Sequence, residues 1–433
     1  MTDRTTDTAA PPVALLAQQL LRINTSNPGG VERPAAQLVA DCLTDLGVAV
    51  QWFEPEPGRC SVVGRVPGRH PELPALLIHG HLDVVPAVAD DWSRDPFGGD
   101  LFDGYLWGRG AVDMKGAVAI ILQTLRTLAD NGQQPNRDLV LAFFADEEAG
   151  GELGAGYVTR TNPFLFADCA EALGEVGGFS RTLNNNHRAY FVATGEKGVW
   201  WAHLVAEGRA GHGSMINPDN PVTKLAGAVT RISEYDCGGD IFTSTTTAMF
   251  DALRRILELP KASREDVIAC LGPLQRMVRA GMTNTVNPTQ LTAGYKTNVV
   301  PAIGTATIDA RFLPGEQASF VEAIKNLAGD DVRVDDIYTG AALEATLESE
   351  LLGAVARALE AQDDTAAVVP YMSTAFTDAK WLAPLGIQCY GFTPMLLPDD
   401  LDFSALFHGV DERVPVGALE FGVRVLQGLL TAY

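Results

Sequence analysis

Short, wholly apolar runs alternate with stretches of helical periodicity through the first part of the chain. Val13, Leu16, Leu20 and Ile23 recur at helical spacing, and the turn cluster Ser26-Asn27-Pro28-Gly29-Gly30 ends that helix. A second helix, about Arg33 to Leu46, stops at Gly47, a residue that readily takes the left-handed cap. Val48 to Phe53, Ser61 to Val66 and Ala75 to Val85 read as strands. Ala75 to Ile78 and Leu139 to Ala145 are apolar throughout, the pattern of strands covered on both faces of a sheet. Between them Val118, Ile121, Leu122, Leu125 and Leu128 form the buried stripe of a helix. Trp92 to Gly108, rich in Gly, Asp and aromatics, is expected as a surface loop near the strand ends.

From about Gly195 the pattern changes. Strand-like Gly198 to Ala206, helical Pro221 to Ile232, strands Leu291 to Val300 and Gly304 to Leu313, helix Ala318 to Leu327 and strand Val332 to Tyr338 follow one another. This β-α-β-β-α-β order is that of a ferredoxin-like unit. An acidic, largely helical insertion, about Thr243 to Gly281, is expected to interrupt it. After Ala341, Leu352 to Ala361, Ala367 to Tyr371 and Ile387 to Phe392 return to helix and strand alternation and would complete the first sheet. The expected architecture is α/β: a mixed-sheet domain over 1–194 and 341–433, interrupted by a smaller domain over 195–340.

Composition narrows the function classes. The 433 residues suffice for two domains, and 46% apolar with 20% charged residues describes a globular protein. A formal net charge of −22, with no basic run, argues against nucleic acid as a partner. Six scattered cysteines without a C-x-x-C pair read as free thiols of a reducing compartment. The polar start, Met1 to Pro12, lacks a secretory pattern, and no apolar run is long enough to span a membrane. A cytoplasmic location without membrane contact is therefore expected.

Candidate chemistry gathers where the apolar strands end. His79, His81 and Asp83 project from one face of an extended chain, so a carboxylate lies near an imidazole it could orient. The blander alternative is a pair of core histidines. Asp113 stands where a loop becomes a helix; it could serve as a helix-start residue or point both oxygens into a site and bridge two cations. Asp146-Glu147-Glu148 follows the second apolar strand, as a solvated acidic loop or as carboxylates held together by something positive. Glu175, before Gly177-Gly178, is a further candidate. Gly108-Arg109-Gly110 is no dinucleotide loop, because Asp113 stands at the third glycine and would oppose a pyrophosphate.

Taken together, His81-Leu82-Asp83, Asp113-Met114-Lys115-Gly116, Glu147-Glu148, Glu175 and the late His408 resemble the di-zinc metallopeptidase and amidohydrolase family of aminoacylase-1, carboxypeptidase G, acetylornithine deacetylase and succinyl-diaminopimelate desuccinylase. The resemblance implies a zinc-binding catalytic domain interrupted by a lid or dimerisation domain. It implies one Zn²⁺ on His81, Asp113 and Glu175, and a second on Asp113, Glu148 and His408, with Co²⁺ or Mn²⁺ suited to the same ligands. Asp83 would orient His81, and Glu147 would be the general base toward a di-zinc-activated water.

His212, in Gly211-His212-Gly213-Ser214, matches the family's lid histidine, which stabilises the oxyanion, typically in the partner subunit's site; otherwise it is a surface-loop histidine. Asn298 and Arg311 match positions that bind a substrate carboxylate, although Arg311 could instead pair with Asp309. In Ser373-Thr374-Ala375-Phe376-Thr377-Asp378 only Thr377 and Asp378 match the family's glycine-rich segment. The implied activity is hydrolysis of an amide in a small carboxylate-bearing substrate, an N-acyl amino acid, by a homodimer. A dipeptidase or carboxypeptidase acting on short peptides is the enzymatic alternative. A metal-dependent binding or assembly protein on the same fold is the non-enzymatic one.

Overall fold

The computed structural model describes residues 10–184 and 186–433; residues 1–9, on which the reading of the polar start partly rests, lie outside it. Among the described residues no helix is long and apolar enough to cross a membrane, and all six cysteines are free.

A ten-stranded mixed sheet organises the larger part of the chain. At its centre Leu139–Phe144, Ala75–His81, Cys169–Gly174 and Gln388–Gly391 run parallel to one another. The antiparallel hairpin Val50–Glu56 and Arg59–Val66 extends it on one side. On the other, His187–Glu196 carries Ala366–Ser373 and Phe179–Asn184. The unbroken apolarity of the central strands has a direct cause in their pleat. Leu76, Ile78, Leu139 and Leu141 face a layer of helices that includes Pro12–Leu21, Lys115–Asp130 and Val416–Ala432. Their neighbours Ala75, Leu77, Val140 and Ala142 face a second layer with Val158, Phe166 and Leu382. Mixed α/β architecture is thus as the sequence predicts.

The chain leaves this sheet at Lys197. Gly198–Glu207 belongs to a four-stranded antiparallel sheet ordered Thr285–Ala293, Ile303–Phe312, Gly198–Glu207, Val332–Gly340. Helices Pro221–Ser233 and Gln317–Ala328 supply Leu225, Ile232, Phe320 and Ile324 to a core with Trp200, Leu204 and Ile308. One predicted strand is divided: Leu291 to Val300 breaks at Gly294, whose φ of 75° turns the chain. The strand proper is Thr285–Ala293, and Val299–Val300 instead pairs with Gly211–His212.

Two other expectations are corrected. Trp92 to Gly108 is not only loop, because Asp100–Phe102 and Tyr105–Trp107 form a hairpin that Arg413–Pro415 joins. The insertion is helical, as Ser244–Ile256, Arg264–Ala269 and Gln275–Ala280, but it is not acidic. Arg254, Arg255, Lys261, Arg264, Arg276 and Arg279 outnumber Asp251, Glu258, Glu265 and Asp266. Although it interrupts the small unit in sequence, it packs on the large one. Met249, Phe250, Leu253, Ile256 and Val267 share a core with Val369 and Tyr371 of the large sheet. Leu253→Ala should therefore lower stability by about 2–5 kcal/mol in urea denaturation. A loss below about 1 kcal/mol would show that the insertion is peripheral to the core.

Candidate active site

Three parallel strands end at one edge of the large sheet, so whatever follows each of them is delivered to one place. His81 stands beside Phe144, and Ile78 beside both Leu141 and Leu173. Asp83, the Asp146-Glu147-Glu148 turn and Glu175 therefore emerge together. Two loops bring the remaining donors. Arg109 donates to Glu412 at 2.6 Å and to the carbonyls of His408 and Gly409 at 3.2 and 3.0 Å. The buried Glu412 carboxylate in turn accepts the amides of Gly110, Val112 and Asp113 at 3.1, 2.7 and 3.1 Å. This knot fixes Asp113 opposite His408.

Asp113 faces both imidazoles. Its Oδ1 lies 3.0 Å from His81 Nε2 and its Oδ2 lies 3.3 Å from His408 Nε2. Glu175 Oε2 is 3.3 Å from His81 Nε2, and Glu148 Oε2 is 3.1 Å from His408 Nε2. Ligand atoms of His81, Asp113 and Glu175 lie within 4.8 Å of one another, as do those of Asp113, Glu148 and His408, and those of His81, Glu147 and Glu148. Asp113 does not cap the helix that follows, which starts at Lys115 after Met114. His79 joins no such group. It is a buried histidine whose pKa is pushed down to about 4 by burial and by His81, packed so closely on Gly174 that a Cβ there would lie 2.3 Å from its Nε2.

The electrostatics call for positive charge. Burial, with Glu175 adding to it, raises Glu147 well above the usual carboxylate range, and burial likewise raises Glu175 and Glu148. Burial opposes a charged His81, yet Glu175, Asp113 and Asp83 together raise it well above an ordinary imidazole. Hydrogen bonds to Asp113 and Glu148 lift His408 to about 10. Without a cation the cluster thus holds protons where it has donors for metal. Glu148 Oε1 is buried with no hydrogen-bond partner among the described residues. Nitrogen and oxygen donors with such an unfilled acceptor fit a divalent ion of zinc type.

Asp83 has a second task beside its contact with His81. His81 Nδ1 is 2.9 Å from the Asp83 backbone carbonyl and 3.6 Å from its Oδ1. The carboxylate also accepts from Asn27 at 2.8 Å and from the amides of Glu147 and Glu148, each at 3.1 Å. It thereby fixes the turn that presents both glutamates. Asp146 points away, to Arg59 at 2.7 Å, and Arg59 also pairs with Glu32.

The other predicted residues lie apart. A cavity of about 460 Å³ opens on the cluster, with Phe179, Trp201, Met277 and Phe407 among its walls. Arg311 lines it, yet Arg311 Nε and Nη2 donate to the two Asp309 oxygens at 2.6 and 2.9 Å. His212 and Asn298 are joined by the two-stranded ladder, Gly213 N donating to Asn298 O at 2.8 Å; both are exposed and neither lines the cavity. Thr377 and Asp378 are buried behind it. Thr377 bonds Glu196, and both Asp378 oxygens lack a partner among the described residues. Ser373 to Phe376, just before them, form the wall itself.

The same catalytic fold occurs in known proteins. The family model for peptidase family M20/M25/M40 matches residues 77–432. The chain belongs to that family. It is 28% identical to aminoacylase-1 of Mus musculus over 442 residues, covering 100% of this chain and 97% of that protein. Its fold resembles the M20 family metallo-carboxypeptidase Sso-CP2 from Sulfolobus solfataricus, with a TM-score of 0.74 at 17% identity over 97% of this chain and 99% of the other. The di-peptidase Dug1p from Saccharomyces cerevisiae superposes with a TM-score of 0.71 at 16% identity, over 97% and 95% of the two chains. Family membership makes this an M20 hydrolytic enzyme, which sets aside the non-enzymatic reading.

Sequence reasoning passed over Glu412, Arg109, Asn27 and Arg276. Glu412 follows His408 by four residues, but nothing in its spacing distinguishes a carboxylate that binds amides from one in water. Arg276 lines the cavity from the insertion, whose side of the molecule no periodicity reveals. The raised His81, His408, Glu147 and Glu175 fix the sign of one prediction. Donors must lose protons to bind metal, so affinity rises with pH across neutrality. Adding Zn²⁺ to metal-free protein at pH 7 in weak buffer should release about one proton or more per ion. No acidification on stoichiometric binding would contradict these protonation states.

Proposed function

We propose that the chain is a two-metal deacylase that hydrolyses the amide of N-acyl amino acids. The carrying observation is Asp113, whose two oxygens face two separate imidazole and carboxylate groups at the mouth of an apolar cavity. In this reading His81, Asp113 and Glu175 hold one ion, and Asp113, Glu148 and His408 hold the other. Two bound divalent ions, Zn²⁺ in this proposal, would polarise the scissile carbonyl and lower the pKa of water. Glu147 takes the proton from the attacking water and delivers it to the leaving nitrogen. Its burial suits this task, since a base works best with a pKa near the operating pH. The mobile choice among M20 activities is guided by aminoacylase-1, whose similarity spans the whole chain.

The second part of the proposal is a homodimer through the four-stranded unit. Thr285–Ala293 is an edge strand, and Leu291 within it, Tyr295 just after it, and Met215 and Ile216 after the Gly211–His212 ladder are exposed. His212 lies outside its own chain's cavity, consistent with an oxyanion role in the partner's site.

Glu147→Gln should reduce turnover roughly 10²- to 10⁴-fold with bound metal unchanged by elemental analysis; full activity would remove Glu147 from the base role. Mixing inactive His212→Ala protein with inactive Glu147→Gln protein should restore part of the activity, because one mixed site then has both groups. No rescue in a verified mixed dimer would confine His212 to its own chain or to the surface. A panel of N-acetyl amino acids and dipeptides decides between deacylase and dipeptidase, and cleavage of dipeptides alone would overturn the deacylase reading.

A further inference from the structure

Glu175 follows the central strand Cys169–Gly174 and is aimed at His81, its Oε2 lying 3.3 Å from the imidazole Nε2. The next residue sets its direction at a steric cost. Val176 has a φ of 58°, in the left-handed region, where Cβ crowds the following carbonyl oxygen and a β-branched side chain is least at ease. The other described non-glycine residues with positive φ are aspartates, a glutamate and a histidine, so Val176 is the β-branched exception among them. Backbone on either side is pinned. Gly174 O accepts from Phe392 N at 2.9 Å, Gly177 O accepts from Thr393 N at 2.8 Å, and Gly178 N donates to Phe191 O at 2.6 Å. Between these anchors the Val176 carbonyl accepts a single hydrogen bond from the described residues, donated by the Tyr371 hydroxyl at 2.5 Å.

A strained conformation persists only where its surroundings over-determine it. Tyr371 is placed to do so. It lies on the large-sheet strand Ala366–Ser373, 1% exposed, with its ring edge-on to Phe179 at 5.6 Å and to Phe191 at 6.2 Å. Packing therefore fixes the phenol independently of the bond it makes. Burial also pushes its pKa up, so the hydroxyl stays a donor. Gly391 completes the seat, since a Cβ there would lie 2.8 Å from the Val176 oxygen and 2.3 Å from that of Glu175. We infer that Tyr371 is a positioning residue whose hydroxyl locks Val176 in the left-handed conformation and thereby aims Glu175 at His81. Without that bond Val176 relaxes to negative φ, and the turn carries the Glu175 carboxylate away from the imidazole. The effect on an ion held by His81, Asp113 and Glu175 rests on the two-metal reading, whereas the lock itself does not.

The test uses Tyr371→Phe, which removes only the hydroxyl, Val176→Gly, for which a left-handed φ carries no steric cost, and the double variant. When metal-free protein is titrated with Zn²⁺ against a chromophoric chelator, Tyr371→Phe should weaken one of the two binding steps roughly 10- to 100-fold. The other step, on Asp113, Glu148 and His408, should keep its affinity. In the Val176→Gly background the same substitution should cost less than about threefold, because glycine needs no lock. No loss in Tyr371→Phe, an equal loss in both backgrounds, or a loss spread over both steps overturns the inference. A Tyr371→Phe chain that fails to fold should be rescued by Val176→Gly, and absence of rescue overturns it as well. A parent chain that takes up no zinc overturns the two-metal reading. Crystal structures of the metal-free parent and Tyr371→Phe proteins then still read the lock: Val176 at negative φ in the variant, with Glu175 withdrawn from His81, supports the inference, and Val176 unmoved overturns it.

Discussion

Four carboxylates, Asp113, Glu147, Glu148 and Glu175, are withdrawn from water within a few ångströms of two imidazoles, and the rest of the structure answers that concentration of charge. Two like charges about 4 Å apart repel by roughly 4 kcal/mol at an effective dielectric of about 20. Such a cluster persists only if each carboxylate is protonated, bonded or neutralised by a cation. Protons shared with His81 and His408 supply part of this. Behind the cluster stand further cations, each with an acidic partner: Arg59 with Asp146 and Glu32, Arg109 with Glu412, and Lys380 with Glu196. These pairs keep the backing carboxylates from adding uncompensated charge, so a ligand at the front meets the donors alone.

The backbone framework obeys the same constraint. Parallel strands deliver their carboxyl ends to one edge, which is why acids separated by many residues in sequence converge. Asp83 bonding the amides of Glu147 and Glu148, and Glu412 bonding those of Gly110, Val112 and Asp113, spend buried carboxylates on holding backbone. The cluster is thus held in place by carboxylates that bind its backbone, the usual requirement for a preorganised site.

Much of this was legible beforehand, and the reason is periodicity. Wholly apolar strands announce burial on both faces, and polar residues at their ends announce an edge, so His81, Glu147, Glu148 and Glu175 stand out. Asp113 stood out only as one of two readings of a loop-to-helix junction, and His408, on a loop without a period, was reachable only through motif resemblance. What stayed hidden depends on tertiary placement. That the Asp83 carboxylate, besides lying 3.6 Å from His81 Nδ1, binds the amides of Glu147 and Glu148 depends on a turn more than sixty residues away in sequence. The side of the molecule on which the insertion lands is likewise decided by Phe250 and Leu253 finding the large core, although the segment lies between strands of the small one. Its charge, by contrast, was readable from composition and simply differs from the expectation.

The order in which these parts leave the ribosome carries a final consequence. His81, Asp113 and Glu175 have all been synthesised by residue 175, whereas His408 and the anchoring Glu412 come more than two hundred residues later, roughly 10–50 s at ordinary elongation rates. The strand Gln388–Gly391, which lies between Cys169–Gly174 and His187–Glu196 in the finished sheet, is equally late. A nascent chain therefore carries one donor group with its sheet still open beside it, and the other group exists only after more than two hundred further residues have been added. Assembly of this centre is in that sense sequential by topology, with the two halves becoming complete at different times.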